Sequence, residues 1–441
     1  MISIIHLSPR SFGVLRRLHT VVGVIVAPFL IVAALTGVLY ALAPSLEKIV
    51  YADLTRPSGE AVVSLEDQVE AAREVYPDLA LNTVQVIPGE NTRVLFADDA
   101  LPSKSYTHAV FVDPATGEVR GEKVQYGSSR ALPLRAWLSN GHRSLWLGEP
   151  GRLYSELAAS WMGALTIGGL VLWLGRRKRT RGTLRTHAWL GALCSAGFLF
   201  LTVTGLTWSS VAGGNIGKLR TLLHWKAPQL SASASEHAGH GAGSMEHMDM
   251  GPDLASLDGA YDVAREAGLR GILNLQPNGA AWNITEARAP FVFHNDAIAV
   301  VDGHVVERVN FSEWPLAAKL TEWLINLHMG FLFGLVNQIV LALIALALLV
   351  VSILGLVMWF RRGRRFAGPQ GFGKLSKPAL VTLVLCLVIY AIIAPLFGIS
   401  LVVFLVVDAV WRAIRGAGAT GSSTPPATRP ASDSTYDSVS S

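Results

Sequence analysis

The chain has 441 residues, of which 51% are hydrophobic and only 16% are charged. This composition is too apolar for an ordinary soluble protein and indicates a membrane protein with sizeable soluble parts. The formal charge of +5 lies in clusters beside apolar segments, so it indicates orientation in a membrane and excludes nucleic acid as an expected partner.

Apolar runs of about 20 residues predict transmembrane helices, because the hydrocarbon core requires roughly that length. Such runs occupy about 20–43, 153–174, 188–210 and 333–360, and the region 378–411 is long enough for two short spans. The positive-inside rule places all the basic clusters in the cytoplasm. The last two clusters then lie on the same side of the membrane, so the chain between them must cross it an even number of times. The sequence therefore predicts about six spans, with both termini in the cytoplasm.

The fold class expected is an α-helical integral membrane protein made of two halves, each a span, a small α+β domain and a span, plus a C-terminal hairpin. Each outer domain shows a helix followed by three or four strands, with Ser64 and Ser256 as helix caps. In chain order the predicted segments are a cytoplasmic lead with the first span (1–44), outer domain one (45–150), span two (151–175), a basic loop (176–187), span three (188–210), outer domain two (211–322), span four with its entry segment (323–360), a basic loop (361–377), the hairpin (378–412) and a disordered tail (413–441).

Two internal repeats support this duplication. The segment around His142 recurs around His328 at an offset of 186 (328 − 142), and the segment around His19 recurs around His187 at an offset of 168 (187 − 19). Four histidines thus occupy repeated positions, each at or near one end of an apolar segment. The other matches are Trp137 with Trp323, Asn140 with Asn326, Gly148 with Gly334, Gly169 with Gly355, Trp173 with Trp359, Arg17 with Arg185, Thr36 with Thr204 and Gly37 with Gly205.

On this topology His19 and His187 lie at the cytoplasmic ends of spans one and three, and His142 and His328 lie at the outer ends of spans two and four. Two equivalent histidines at one membrane depth have the geometry of bis-histidine haem ligation, since imidazole is a strong axial ligand and a planar haem b fits between helices. We expect two haem b groups, one near each face. Zinc or copper in the same pairs and purely structural hydrogen bonding are the alternatives.

The repeated segments resemble the PepSY-associated transmembrane family, the iron-regulated membrane proteins of bacterial inner membranes, over about residues 10–412. The resemblance implies an inner-membrane location, with two PepSY-like domains in the periplasm. It also implies similarity to haem-containing ferric-siderophore reductases of iron homeostasis, with the four histidines as haem ligands. The residues that carry it are Arg17, Leu18 and His19 with Thr36 and Gly37, Asn140, Gly141 and His142 with Gly148, Arg185, Thr186 and His187 with Thr204 and Gly205, and Asn326, Leu327 and His328 with Gly334.

The second outer domain contains an insertion, 231–252, that the family pattern does not include. Its imidazole and thioether side chains together suit copper. A flexible polar linker is the alternative interpretation. The candidate copper ligands are His237, His240, His247, Met245, Met248 and Met250.

The functional hypothesis is a membrane di-haem electron-transfer protein, that is, a haem-dependent metalloreductase without an assigned catalytic side chain. It would take electrons from a separate cytoplasmic donor or from quinone, because no flavin or nicotinamide motif is visible. It would reduce a ferric siderophore or another ferric chelate in the periplasm. Two alternatives stay open: a regulatory membrane protein whose PepSY-like domains bind a peptide or protein, and a copper-handling protein that uses the insertion.

Overall fold

The computed structural model describes residues 9–175, 181–231, 252–363 and 377–420. The helices are α1 (Pro9–Val50), α2 (Ala52–Thr55), α3 (Leu65–Arg73), α4 (Pro133–Ser144), α5 (Gly148–Leu174), α6 (Gly182–Leu193), α7 (Ser195–Thr207), α8 (Val211–Leu222), α9 (Leu257–Glu266), α10 (Leu316–His328), α11 (Gly334–Arg361), α12 (Lys377–Ile393) and α13 (Pro395–Thr420). The strands are β1 (Ala80–Val86), β2 (Thr92–Ala97), β3 (Tyr106–Val112), β4 (Val119–Tyr126), β5 (Ile272–Asn278), β6 (Ala281–Ala287), β7 (Ala297–Val301) and β8 (His304–Val309).

Three described helices, α1, α5 and α11, are long and apolar enough to cross a membrane. Helices α6 and α7 pass the same test only as a pair, and they bend by 58° at the break between them. The Ser195 hydroxyl donates to the Ala192 carbonyl oxygen (2.8 Å) at this break, a local bond of the kind that accompanies helix bends. The described part of the chain thus has three candidate spans, or four with the bent pair, and the six-span topology stays a prediction.

The region predicted as a hairpin consists of two helices that meet at Ala394. Both contain shorter apolar stretches, Leu380–Ile393 and Pro395–Val407. Helix α13 continues to Thr420, so the first residues of the segment predicted as a disordered tail are helical. The rest of that segment lies outside the described residues, as do parts of the two basic loops.

The duplication is visible in how the spanning helices pack. Helix α1 packs along α11, and α5 packs along α7, so the first span of each half lies against the second span of the other half. The core between them is apolar and includes Val26, Phe198 and Leu348. This exchange brings equivalent residues of the two halves into one helix bundle.

The two predicted α+β domains are joined into one eight-stranded antiparallel sheet with the order β4-β3-β2-β1-β5-β6-β7-β8. The halves meet where β1 pairs with β5, with Val84 opposite Leu275. Helices α3 and α9 cover one face over a core to which both halves contribute. The Asp258 carboxylate of α9 also accepts hydrogen bonds from the backbone N–H groups of Leu65 and Glu66 on α3. The two halves are therefore linked by strand pairing, by a common core and by a helix cap.

The two predicted helix caps have different outcomes. Ser64 caps α3 as predicted, since its hydroxyl oxygen accepts a hydrogen bond from the Asp67 backbone N–H (3.0 Å). The prediction for Ser256 was wrong. Its hydroxyl donates to the Asp253 carbonyl oxygen (2.6 Å) and accepts from the Trp282 indole N–H (2.9 Å), because a short 3-10 turn precedes α9 and redirects the side chain.

His142 and His328 lie on separate short helices, α4 and α10, that precede the spans. The sequence interpretation put them at the outer ends of spans two and four, with His328 in an entry segment, but it did not predict separate helices there. Each histidine thus lies on a helix connecting the sheet to a span.

Positive backbone φ angles cause both breaks. Leu145 and Trp146 have φ of 52° and 56° after α4, and Gly330 and Gly334 have φ of 79° and 56° between α10 and α11. Glycine adopts positive φ without steric cost. Gly148 has φ of 62° at the first break, as its repeat partner Gly334 has at the second. Each break therefore has a glycine signal in the sequence, whereas the bulky residues Leu145 and Trp146 give none.

Candidate functional site

His19 of α1 and His187 of α6 face each other in the helix bundle. Their ring centroids are 6.3 Å apart, and the ring planes are inclined by 79°. Bonds between a metal ion and an imidazole nitrogen are about 2 Å long, so this spacing has the size that one shared metal ion requires. The structure brings the first predicted pair together.

Each of these two histidines packs on a glycine in the second span of its own half. A Cβ added at Gly169 would lie 3.0 Å from Cε1 of His19, and one at Gly355 would lie 3.7 Å from Cε1 of His187. The Nδ1 atom of His187 also lies 3.0 Å from the Val351 carbonyl oxygen. The repeated glycines thus leave room for the repeated imidazoles.

His142 of α4 packs against the middle of α1. Its Nδ1 lies 3.0 Å from the Ala33 carbonyl oxygen and 3.2 Å from the Thr36 hydroxyl oxygen. A Cβ added at Gly37 would lie 3.2 Å from Cε1 of the imidazole. The ring therefore fills a groove that exists because residue 37 has no side chain.

His328 of α10 packs on α7 in the equivalent way. Its Nδ1 lies 2.6 Å from the hydroxyl oxygen of Thr204, and Thr204 is the repeat partner of Thr36. The two halves thus present the same threonine to the same histidine. The repeats seen in the sequence are repeats of a local structure.

These contacts decide which ring nitrogen is available to a metal. The hydroxyls of Thr36 and Thr204 donate their single proton to carbonyl oxygens one turn earlier, at 2.8 Å and 2.7 Å, so they can only accept from the histidines. The backbone carbonyls near His142 and His187 also only accept. Nδ1 of His142, His187 and His328 therefore carries the proton, and Nε2 keeps its lone pair.

His142 and His328, predicted at the outer face of the membrane and called here the outer pair, have surroundings that favour the neutral form that metal ligation requires. Burial, and secondly the charge of His142, lower the pKa of His328 to about 3. Burial also lowers the pKa of His142, although its hydrogen bond to Ala33 opposes the shift. The influence of His142 on the pKa of His328 places the two imidazoles in the same region, without the direct ring contact found for His19 and His187.

The two pairs lie at different depths of the bundle, with His142 and His328 nearer to the sheet. His19 is near the start of the α1 span, whereas His142 contacts α1 at residues 33–37. A helix rises about 1.5 Å per residue, so the two sites are roughly 25 Å apart along α1. This separation approaches the hydrocarbon thickness of about 30 Å.

Two aromatic neighbours were missed by sequence reasoning. Tyr40 stacks on His142 with ring centroids 6.1 Å apart, and Trp208 lies edge-on to His328 with centroids 5.4 Å apart. Tyr40 and Trp208 are separated by the same offset, 168 (208 − 40), as Thr36 and Thr204. A search of the repeat for similar rather than identical residues would have found them.

The donor set of each pair fits a haem better than a zinc ion. The described residues give neither pair a third histidine, cysteine or carboxylate within ligand distance, and zinc sites have at least three protein ligands. A haem iron requires only axial ligands from the protein. Two neutral imidazoles, packed among glycines and apolar helices, meet that requirement.

One three-residue group of possible metal ligands lies on the sheet, at Glu286, His294 and Asp296, with ligand atoms within 4.8 Å of one another. The Glu286 carboxylate already accepts from the backbone N–H groups of Arg270 and Asp296 and from the ring of His294. These bonds fix the connection between β6 and β7, so the group is a structural network.

The predicted copper ligands cannot be placed in this fold, because 232–251 lies outside the described residues. Copper binding by the insertion stays a prediction. At the boundary of the insertion, Ser231 donates through its backbone N–H and its hydroxyl to Glu307 of β8. The insertion therefore begins beside the β8 edge of the sheet.

The repeated arrangement of spans, sheet and histidines is matched by a known family. A family model described as the PepSY-associated TM region matches residues 16–362. The chain belongs to this family. The match contains all four histidines and all eight strands, so the candidate sites lie in the part of the chain that the PepSY-associated family model describes. A search of curated proteins gave no significant match.

Proposed function

We propose that this PepSY-associated membrane protein is a di-haem b electron-transfer protein of the bacterial inner membrane. It would reduce a ferric chelate, such as a ferric siderophore, in the periplasm. The observation that carries the proposal is the pairing of equivalent histidines, with the 6.3 Å spacing of His19 and His187 as its clearest instance.

His19 and His187 would hold one haem, and His142 and His328 the other. A haem iron bound by two histidines supplies a one-electron couple whose potential depends on the ligands, their burial and their hydrogen bonds. The carbonyl and threonine oxygens at Nδ1 orient the imidazoles and increase their basicity. The bundle around them has an apolar core.

The position of the sheet supports a periplasmic substrate at the outer pair. The chain enters the sheet after α1 and α8 and returns to the spans through α4 and α10, the helices that carry His142 and His328. A chelate held by the sheet would thus lie at the end of the bundle that contains this pair. Electrons would enter at the other end, from a cytoplasmic donor or from quinone. Ferric iron prefers hard oxygen ligands, so reduction releases it from the chelate.

The test is a dithionite-reduced minus oxidised spectrum of the detergent-purified protein, with a pyridine haemochrome count. We expect two b-type haems in the native protein and one in each of His19→Ala and His328→Ala. His304→Ala removes an exposed histidine of β8 and should retain two. Absence of haem from protein expressed with ample haem supply would refute the proposal.

A second candidate function is recognition of a periplasmic peptide or protein. The described sheet ends at β4 and β8, and Val305 and Val306 of β8 are 42% and 61% exposed. An extended peptide can add a strand to such an edge. This function does not use the histidines, so replacement of all four by alanine would leave it intact.

A further inference from the structure

Arg130 lies in the connection between β4 and α4, where the sheet meets the membrane helices. Its Nη2 donates to the Arg288 carbonyl oxygen (2.9 Å), whereas its Nη1 is buried and meets no hydrogen-bond partner among the described residues. Buried polar atoms in folded proteins nearly always have a partner. The unsatisfied N–H group therefore marks a place where a ligand could supply an oxygen atom that accepts a hydrogen bond.

Three further arginines surround the Arg130 loop, which we define as residues 127–132. Each donates a hydrogen bond to an oxygen atom of the loop, so the loop is held from three sides. The bonds are Arg93 to the carbonyl oxygen of Arg130 (3.4 Å), Arg135 to the carbonyl oxygen of Ser129 (2.7 Å) and Arg288 to the hydroxyl oxygen of Ser128 (3.3 Å).

Each of these three arginines also has its own carboxylate partner. One pair joins α1 to α4, one lies within the first half of the sheet, and one joins the residue after β6 to α10. The shortest distances are 3.0 Å for Arg135 and Glu47, 3.0 Å for Arg93 and Glu90, and 2.7 Å for Arg288 and Glu322.

The cluster therefore contains four guanidinium groups and three carboxylates, and the excess positive charge belongs to Arg130. Burial, followed by the charges of Arg93 and Arg135, lowers the pKa of Arg130 to about 9. A half-buried cation whose nearest carboxylate, Glu90, is already paired with Arg93 is incompletely compensated. An anionic ligand at Nη1 would remove that penalty.

The fold does not require this cluster. The corresponding connection of the second half, between β8 and α10, comprises residues 310–315 and contains no arginine. Both connections nevertheless lead from an edge strand into a histidine-bearing helix. Arg130 is thus an addition to the connection of the first half and not a part of the repeated architecture.

We propose that Arg130 and the arginines around it form a binding site for a carboxylate group. A guanidinium fork matches a carboxylate in geometry and charge. Two sources present this chemistry. One is a propionate of a haem held at His142, which lies seven residues after Arg135 on α4, or about 10 Å along the helix; this source rests on the proposed function. The other is a free or iron-bound carboxylate from the periplasm, which does not.

The experiment is a calorimetric titration of the full-length protein in detergent with citrate, together with a redox titration of its haem. The variants are Arg130→Gln, which removes the charge, and Arg130→Lys, which keeps the charge but removes the fork. Arg120→Gln is the matched control, because Arg120 is a more exposed arginine of β4 that pairs with Glu118. Gel filtration and a melting curve establish that each variant is folded.

A periplasmic carboxylate predicts that citrate binds the haem-loaded native protein and the Arg120→Gln variant. Binding should weaken about tenfold in Arg130→Gln, the effect of one lost charge-assisted hydrogen bond, and less in Arg130→Lys. A haem propionate predicts instead that citrate does not bind the loaded protein. In that case Arg130→Gln should lower the midpoint potential of one of the two haems, because loss of a nearby positive charge favours the ferric form.

The proposal is overturned if citrate does not bind and Arg130→Gln leaves both midpoint potentials unchanged. If the purified protein contains no haem, the proposed function fails, but the citrate titration still decides this inference. Citrate binding that depends on Arg130 would then support it, and its absence would overturn it.

Discussion

The hydroxyl oxygen of Thr204 lies 2.6 Å from Nδ1 of His328, and it can only accept from the histidine because its own proton is donated to the Phe200 carbonyl oxygen. This relationship repeats at Thr36 and His142. Each outer histidine therefore has a threonine hydroxyl from the first span of its half at Nδ1, and His142 has the Ala33 carbonyl oxygen as a second acceptor.

Replacement of Thr204 by valine should weaken the ligand without changing its position. Partners of a metal-bound histidine typically affect metal affinity by about 10-fold to 100-fold, so Thr204→Val should lose haem from the outer pair during purification or on dilution. The haemochrome count and the rate of haem transfer to apomyoglobin measure this effect. Thr202→Val is the matched control, since Thr202 is a buried threonine of the same helix that bonds only to the Phe198 carbonyl oxygen. Equal haem retention in the two variants would contradict the assigned role of Thr204.

The repeat made the four histidines predictable, because identical residues at a constant offset are visible in the sequence. Their pairing followed from the topology, which places one histidine of each half at each end of the bundle. The Arg130 cluster was not predictable in the same way. Its members come from β2, the β4–α4 connection, α4 and the residue after β6, and only tertiary structure brings these segments together.

The joining of the two halves into one sheet could not be predicted from the sequence either. The helix followed by three or four strands expected in each half is present, with four strands in each, because alternation and turn residues are local signals. The pairing of β1 with β5 is a contact between residues almost two hundred positions apart, as for Gln85 and Asn274. The residue pattern of a strand does not specify which edge strand of one half pairs with which edge strand of the other.

Asp258 offers a test of the link between the halves. Its carboxylate caps α3 of the first half from α9 of the second, and loss of a helix cap typically costs about 0.5–2 kcal/mol. Asp258→Ala should lower the melting temperature of the detergent-purified protein, whereas Asp262→Ala, at an exposed position on the same helix, should not. A melting temperature equal to that of the native protein would show that this cap does not stabilise the joined sheet.

Asp98 gives the sheet a predictable pH dependence. Hydrogen bonds from the Ala100 backbone N–H and then from His108 lower its pKa, so the ionised form favours folding. This stabilisation is present above the unfolded pKa of about 3.9 and is lost as the pH falls through the folded pKa. The melting temperature of Asp98→Asn should be below that of the native protein at pH 6 and close to it at pH 3. A difference in melting temperature that does not depend on pH would exclude ionisation of Asp98 as its cause. The exposed Asp99→Asn is the control.

The insertion separates the copper hypothesis from the haem proposal. Deletion of 232–251 removes all three histidines and all three methionines of the predicted copper site. If that site operates, the deletion should abolish copper binding, measured by competition with a chromogenic copper chelator, and should leave the haem content unchanged. A variant with the same length but with serine at those six positions is the control for loop length and should also lose copper. Retained copper binding in the deletion would exclude the insertion as the site.

A substitution at Gly169 tests whether His19 and His187, the inner pair, depend on the space that glycine provides. A Cβ at this position would lie 3.0 Å from Cε1 of His19, which is too close for the ring to stay where it is. Gly169→Val should therefore displace His19 and reduce the haemochrome count from two to one, while the outer pair keeps its spectrum. Gly191→Val is the matched control, because a Cβ at Gly191 meets nothing within 4 Å. Two haems with unchanged midpoint potentials in Gly169→Val would show that His19 is not an axial ligand at this position.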